Sequence, residues 1–149
     1  MKFFISCAKA LEYLMVDEAK AMGIGATATM AGANAEGSLV DAMRLVMFSR
    51  LASRVLWPIA HFDCGTEQDL YQGAHAIDWQ RHIGAGATLA IDARISSDTL
   101  THERYAAQRL KDAIVDRLRA DTGARPDVDV EQPDVRINLH IRKDKADIA

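Results

Sequence analysis

The strongest constraint on the fold is the order of element signals in the first sixty residues. Phe3 to Cys7 is a short apolar run with strand character. Leu11, Leu14, Met15, Glu18 and Met22 then recur at helical spacing, and Gly23 ends that helix. Residues 26–31 read as a strand, and Gly32 to Glu36 as its hairpin partner. Ser38 has the hydroxyl of an N-cap. It precedes a helix carrying Leu39, Ala42, Met43, Val46 and Met47 and running to about Leu51. Arg54 to Phe62 closes the series as a strand. Pro58 lies inside it, which suits an edge or a bulge, because proline has no N–H to give to a ladder.

Strand, helix, two strands, helix, strand is the split βαββαβ pattern of a ferredoxin-like domain, expected over residues 1–62. The polar break Asp63-Cys64-Gly65-Thr66 follows. The second domain, residues 63–149, reads as αβαβ. It has a helix from Glu67 to Ile77, a loop from Trp79 to Gly86 and a strand from Ala87 to Ile95. A long helix from Thr101 to Ala120 puts Ala107, Leu110, Ala113, Ile114 and Leu118 on one face, with Asp98 or Thr99 able to cap the turn ahead of it. Asp121-Thr122-Gly123 stops it, and a loop with Pro126 and Pro133 leads to a strand from Val135 to Ile141. Val135, Ile137, Leu139 and Ile141 alternate there with Arg136, Asn138 and His140, the period of a half-buried strand. Arg142 to Lys145 reads as a hairpin turn, with Ala146 to Ala149 starting the return strand. The second domain is thus expected to be truncated at its C-terminal hairpin, in a piece of a longer protein. The fold class is α+β.

Composition excludes several classes. With 49% hydrophobic and 26% charged residues the chain is neither disordered nor fibrous. No apolar run approaches the roughly 20 residues that span a bilayer, and the N-terminus has no signal-peptide pattern. Two cysteines, Cys7 and Cys64, make no disulfide framework. A reduced, cytoplasmic protein without membrane partners is expected. The net charge of −3 argues mildly against a nucleic-acid binder. The deficit lies wholly in residues 1–93, with 7 Lys and Arg against 10 Asp and Glu, whereas residues 94–149 hold 11 of each. That leaves room for a basic face in the second domain.

No catalytic constellation stands out. Gly23 to Ala28 spells a G-x-G-x-x-A string, but a dinucleotide site needs a strand before it and a helix after it, and here the order is reversed. His61 and Cys64 have half of a zinc spacing without a second pair. The long helix offers another kind of site. Arg104, Gln108 and Lys111 form one stripe with Arg109 at its side, and Arg136, Arg142 and Lys143 extend the positive charge. Arginine and lysine supply most sequence-independent affinity for phosphate, while mixed charge along a helix is also the ordinary look of a solvated face.

Several stretches resemble the N-terminal region of the RlmL-type 23S rRNA guanine-N2 methyltransferases. They are Cys7 to Leu14, Ser49 to Arg54, Asp69-Leu70-Tyr71 with Trp79, and Lys111 to Asp116. Arg125-Pro126 with Val128-Asp129, Pro133 to Asn138, and Lys143 to Ala149 complete the set. The resemblance covers essentially the whole chain, and implies a ferredoxin-like domain followed by a THUMP domain. It implies an RNA-binding, substrate-positioning module acting on large-subunit rRNA, with the chain's own C-terminal methyltransferase domain as its other partner. S-adenosylmethionine would belong to that missing domain, and no cofactor or catalytic residue to this fragment. By position, Arg109, Lys111, Arg136 and Lys143 fall where the family tends to be basic, with Arg94 and Arg104 as further RNA-contact candidates. One departure is Gly32 to Glu36, more polar than the Gly-Val-His-Phe-like run of the family, which puts the third strand in question. Two other readings remain open. The chain is a scaffold that packs on its own catalytic domain or on a copy of itself, or it is the docking half of a DNA adenine methylase.

Overall fold

The computed structural model describes residues 1–96 and 102–149. Two compact units divide between Pro58 and Ile59.

In the first unit, β1 (Lys2–Ser6), β2 (Gly25–Thr29), β3 (Gly32–Glu36) and β4 (Arg54–Leu56) form an antiparallel sheet in the order β2-β3-β1-β4. Helices α1 (Glu12–Ala21) and α2 (Leu39–Phe48) complete it. The order is that of the ferredoxin-like pattern. Phe3 and Ile5 alternate inward and share a core with Met15, Val16, Ala19, Ala42 and Leu45. The polar third strand does form: Ala33 and Ala35 are buried, and small side chains suffice because β1 supplies the bulk. Ser38 caps α2 as its hydroxyl suggests. Its Oγ accepts from the Asp41 N–H at 3.1 Å, and the Asp41 carboxylate accepts from the Ser38 N–H at 2.9 Å. This reciprocal pair satisfies two N–H groups that the first helical turn leaves free.

The expected single strand from Arg54 to Phe62 is instead two strands in different sheets, β4 and β5 (Ala60–Asp63). Trp57 packs on Phe3 in the first unit, with ring centroids 5.6 Å apart, while the Ile59 N–H donates to Ile148 O at 2.8 Å in the second. Pro58, between them, has no N–H with which to continue a ladder. The units therefore divide four residues before the expected boundary at 62.

The second unit continues with α3 (Glu67–His75), a 3₁₀ turn at Trp79–Arg81, β6 (Leu89–Ser96), α4 (Glu103–Thr122), β7 (Val135–Arg142) and β8 (Lys145–Ile148). Its sheet runs β5-β8-β7-β6. β6 and β7 are parallel and joined through α4; the other pairs are antiparallel. Ile137, Leu139 and Ile141 of β7 meet Leu110, Ile114 and Leu118 of α4 in the core. Trp79 is fully buried there, and its indole N–H donates to Ala74 O at 2.8 Å. Lys143 and Asp144 both have positive φ, 49° and 56°, the type I′ geometry that suits the twist of a two-residue hairpin. The return strand β8 lies between β5 and β7. Gly123, at φ 75°, ends α4 in the left-handed conformation that glycine adopts without penalty. The expected caps Asp98 and Thr99, and the expected helix start at Thr101, lie outside the described residues. No helix among the described residues is long and apolar enough to cross a membrane.

Candidate nucleic-acid interface

Alternation in the second sheet sorts its side chains onto two faces. Ile137, Leu139 and Ile141 point to the helices, so Arg136, Asn138, His140 and Arg142 take the other face. Register adds neighbours to that face. Arg94 of β6 lies beside His140, Ser96 beside Arg142, and Lys145 of β8 on the far side of Arg142. Because β6 and β7 are parallel, their C-terminal ends share one end of the sheet, and α4 begins there. Glu103, in the first turn of α4, ties the two together: its carboxylate pairs with Arg94 at 3.5 Å and accepts from the Ile95 N–H.

Arg94, Arg104, Arg142 and Lys143 thus gather at this end of the unit. Arg104, Arg142 and Lys143 are exposed and make no ion pair with a described residue. An open hollow of about 380 Å³ lies along the first turns of α4, lined by His102, Arg104, Tyr105 and Gln108. Tyr105 is half exposed. Across the sheet, towards β5, the same face turns acidic and self-paired. Asp147 meets His61 at 2.5 Å, and Asp63 pairs with Lys145, which holds the Asp63 carboxyl below its ordinary range.

The other expected contacts lie elsewhere. Arg136 is at the opposite end of β7, roughly 20 Å from Lys143 at the rise of a strand. It is paired with Asp92 at 3.2 Å and reaches Val130 O. Arg109 and Lys111 share the Asp112 carboxylate, at 3.8 and 3.7 Å, and their side chains are only 29% and 21% exposed. Arg109 also lies over the Tyr71 ring, 4.7 Å from its centroid. Of the six expected residues, then, the structure places Arg94, Arg104 and Lys143 at one end, engages Arg109 with Tyr71 of α3, pairs Lys111 with Asp112 within α4, and separates Arg136. His140 and Tyr105 are not among the six expected contacts; the period-two pattern of β7 puts His140 on the face of Arg136 and Asn138.

Both cysteines are buried and free. Burial pushes the Cys64 thiol up to about 11, with Asp69 and Asp144 adding to the shift. No three His, Cys, Asp or Glu side chains among the described residues are placed to hold a metal ion.

A ferredoxin-like unit, followed by a mixed-sheet unit with a parallel β6-α4-β7 crossover and a cationic end, defines a class of two-domain modules. Residues 64–149 match the model of the THUMP domain, and residues 2–56 that of the RlmL ferredoxin-like domain. The chain belongs to the THUMP domain family. It is 45% identical over 150 residues to the ribosomal RNA large subunit methyltransferase K/L of Syntrophotalea carbinolica, covering 100% of this chain and 21% of that protein. The chain thus spans about a fifth of the length of that relative. Among solved structures it resembles a predicted N6-adenine-specific DNA methylase from Listeria monocytogenes, with a TM-score of 0.83 and 20% identity, over 99% of this chain and 40% of that one. It also resembles TrmN from Thermus thermophilus, with a TM-score of 0.70 and 23% identity, over 99% of this chain and 44% of that one.

Proposed function

We propose that this chain is the RNA-binding and substrate-positioning module of an S-adenosylmethionine-dependent large-subunit rRNA guanine-N2 methyltransferase. The observation that carries the reading is the gathering of Arg94, Arg104, Arg142 and Lys143 at one end of the THUMP unit, three of them without an acidic partner among the described residues. Such an end meets phosphates without first breaking ion pairs. Its cations lie on a sheet face and a helix end rather than on a helix shaped for a groove, so recognition runs through backbone and shape. The kinship with the ribosomal RNA methyltransferase supports rRNA as the ligand and a methyltransferase domain as the partner.

S-adenosylmethionine would be held, and the methyl group transferred, in that partner domain. The only glycine-rich string here that spells a nucleotide fingerprint, Gly23 to Ala28, runs from the end of α1 into β2. Its N–H groups therefore do not stand at a helix N-terminus, and no residue of this chain is assigned to the cofactor.

The test is binding of the chain to folded rRNA fragments and to duplex DNA of equal length, at two salt concentrations. Preference for RNA that weakens steeply with salt is the expected result. Preference for the DNA duplex, or binding to neither, overturns the reading.

A further inference from the structure

Helix α2 buries little of what it carries. Only Ala42 and Leu45 face the first unit's core, while Leu39, Val40, Met43, Val46 and Met47 expose 48% to 75% of their surface. At 100° per residue these five fall within roughly 120° of arc. They make one continuous apolar stripe running the length of the helix. A helix that is apolar on nearly every side belongs in an interior, and this one has a covered face on one side only. The stripe exposes on the order of 600 Å² of apolar side chain, the upper end of what a soluble monomer leaves uncovered.

We propose that the stripe of α2 is a self-association surface, on which a second copy of this chain packs its own α2 antiparallel about a two-fold axis. The stripe contains no charge. Asp41 and Arg44 lie off it and are tied to each other at 3.3 Å, with Arg44 also bonded to Met22 O. Two copies can therefore meet without burying an unpaired ion. An isologous contact needs a patch that fits itself, and a neutral stripe of Leu, Val and Met does so. Two stripes bury at most about 1,200 Å² in total, which reaches only the lower edge of what stable complexes use and fits a weak dimer. The Ser38–Asp41 cap holds the helix formed beforehand, so association costs little ordering. RNA does not fit here, because the stripe offers no cation. The inference stands apart from the RNA reading, which concerns the other unit.

The experiment is sedimentation of the chain from about 1 to 200 µM, beside Val46→Glu, Met43→Glu and the control Met30→Glu. Met30 is 84% exposed but lies in the β2–β3 turn. The expected result is a monomer–dimer equilibrium with a dissociation constant on the order of 10 µM. Each α2 variant weakens it at least about tenfold, with a thermal midpoint unchanged at about 1 µM, where the dimer is scarcely populated, and the control leaves it intact. A chain that stays monomeric over the whole range overturns the proposal, and the stripe then belongs to a different partner. A dimer that survives both α2 variants, or that is lost equally in the control, overturns it as well.

Discussion

Arg109 lies over the ring of Tyr71, 4.7 Å from its centroid, and the Tyr71 hydroxyl donates to Asp116 at 2.5 Å. One aromatic ring of α3 thus engages two residues of α4, a cation above its face and a carboxylate at its tip. Arg109, at the side of the Arg104, Gln108 and Lys111 stripe, is therefore also a fastener between two helices.

That double use separates two sets of substitutions. Arg142→Glu with Lys143→Glu removes two exposed charges, and the slope of log binding against log salt should fall by about 1.5 to 2. Arg109→Glu with Lys111→Glu should change the slope by less than about 1 and cost about 1 kcal/mol of stability from the lost cation–π contact. Salt titrations and urea melts of both double variants check this. A larger slope change from the Arg109 and Lys111 pair would place the RNA along α4 instead.

Gly73 of α3 sits against the ring of Phe62 in β5. A Cβ built on it would come within 2.3 Å of a ring carbon. Gly73→Ala should therefore lose about 1–3 kcal/mol, as overpacked cores do. Phe62→Leu in the same chain should recover part of the loss if the clash is its cause. Denaturant midpoints of the single and double variants give the answer, and additive losses would point to the backbone at Gly73 rather than to the ring.

The first unit was largely legible because its signals are local. Ser38 stands just before an apolar helix, and Phe3 to Cys7 is an apolar run of strand length. The alternation of β7 likewise exposed its two faces. Pro58 was visible too, but whether it bends one strand or divides two depends on partners distant in sequence: Phe3 for Trp57, and Ile148 for Ile59. The same limit applies to the candidate interface. Spacing along α4 shows that Arg104, Gln108 and Lys111 share a stripe. It does not show that Tyr71 covers Arg109, or that Asp92 pairs with Arg136, because those are contacts between elements. Charge on one element was readable, and its neutralisation by another was not.

Ser38→Ala should cost about 1 kcal/mol, the usual loss on removing a helix cap. The Ser38 N–H and hydroxyl beside Asp41 hold its carboxyl below the ordinary range. A depressed folded-state value contributes stability that is present above the unfolded carboxyl's titration and is lost as pH falls through the folded one. The gap between native and Ser38→Ala melting temperatures should accordingly narrow in acid and stay constant from neutral pH upward. A gap independent of pH would show that the residue-38 N–H, which alanine keeps, holds the Asp41 carboxyl without help from the hydroxyl.

Cys64 gives the opposite sign at the other end of the scale. Its thiol is buried, and the folded protein binds its proton up to about 11, against 9.0 for an ordinary cysteine. Between those values the unfolded chain has released the proton and the folded one has kept it. The thiol's contribution is therefore complete below pH 9 and is lost as pH rises towards 11. Cys64→Ala leaves a small cavity but removes this linkage, so the stability of the variant should fall less steeply over that window. The same burial keeps the thiolate scarce, and alkylation at pH 8 should run at least about a hundredfold slower in the folded chain than in urea. Stability measured from pH 8 to 11 for both proteins, with mass-spectrometric alkylation rates assigned to Cys64, tests both statements. Fast labelling of folded Cys64 would mean that the segment joining β5 to α3 opens readily, and the pH slope should then match that of the alanine variant.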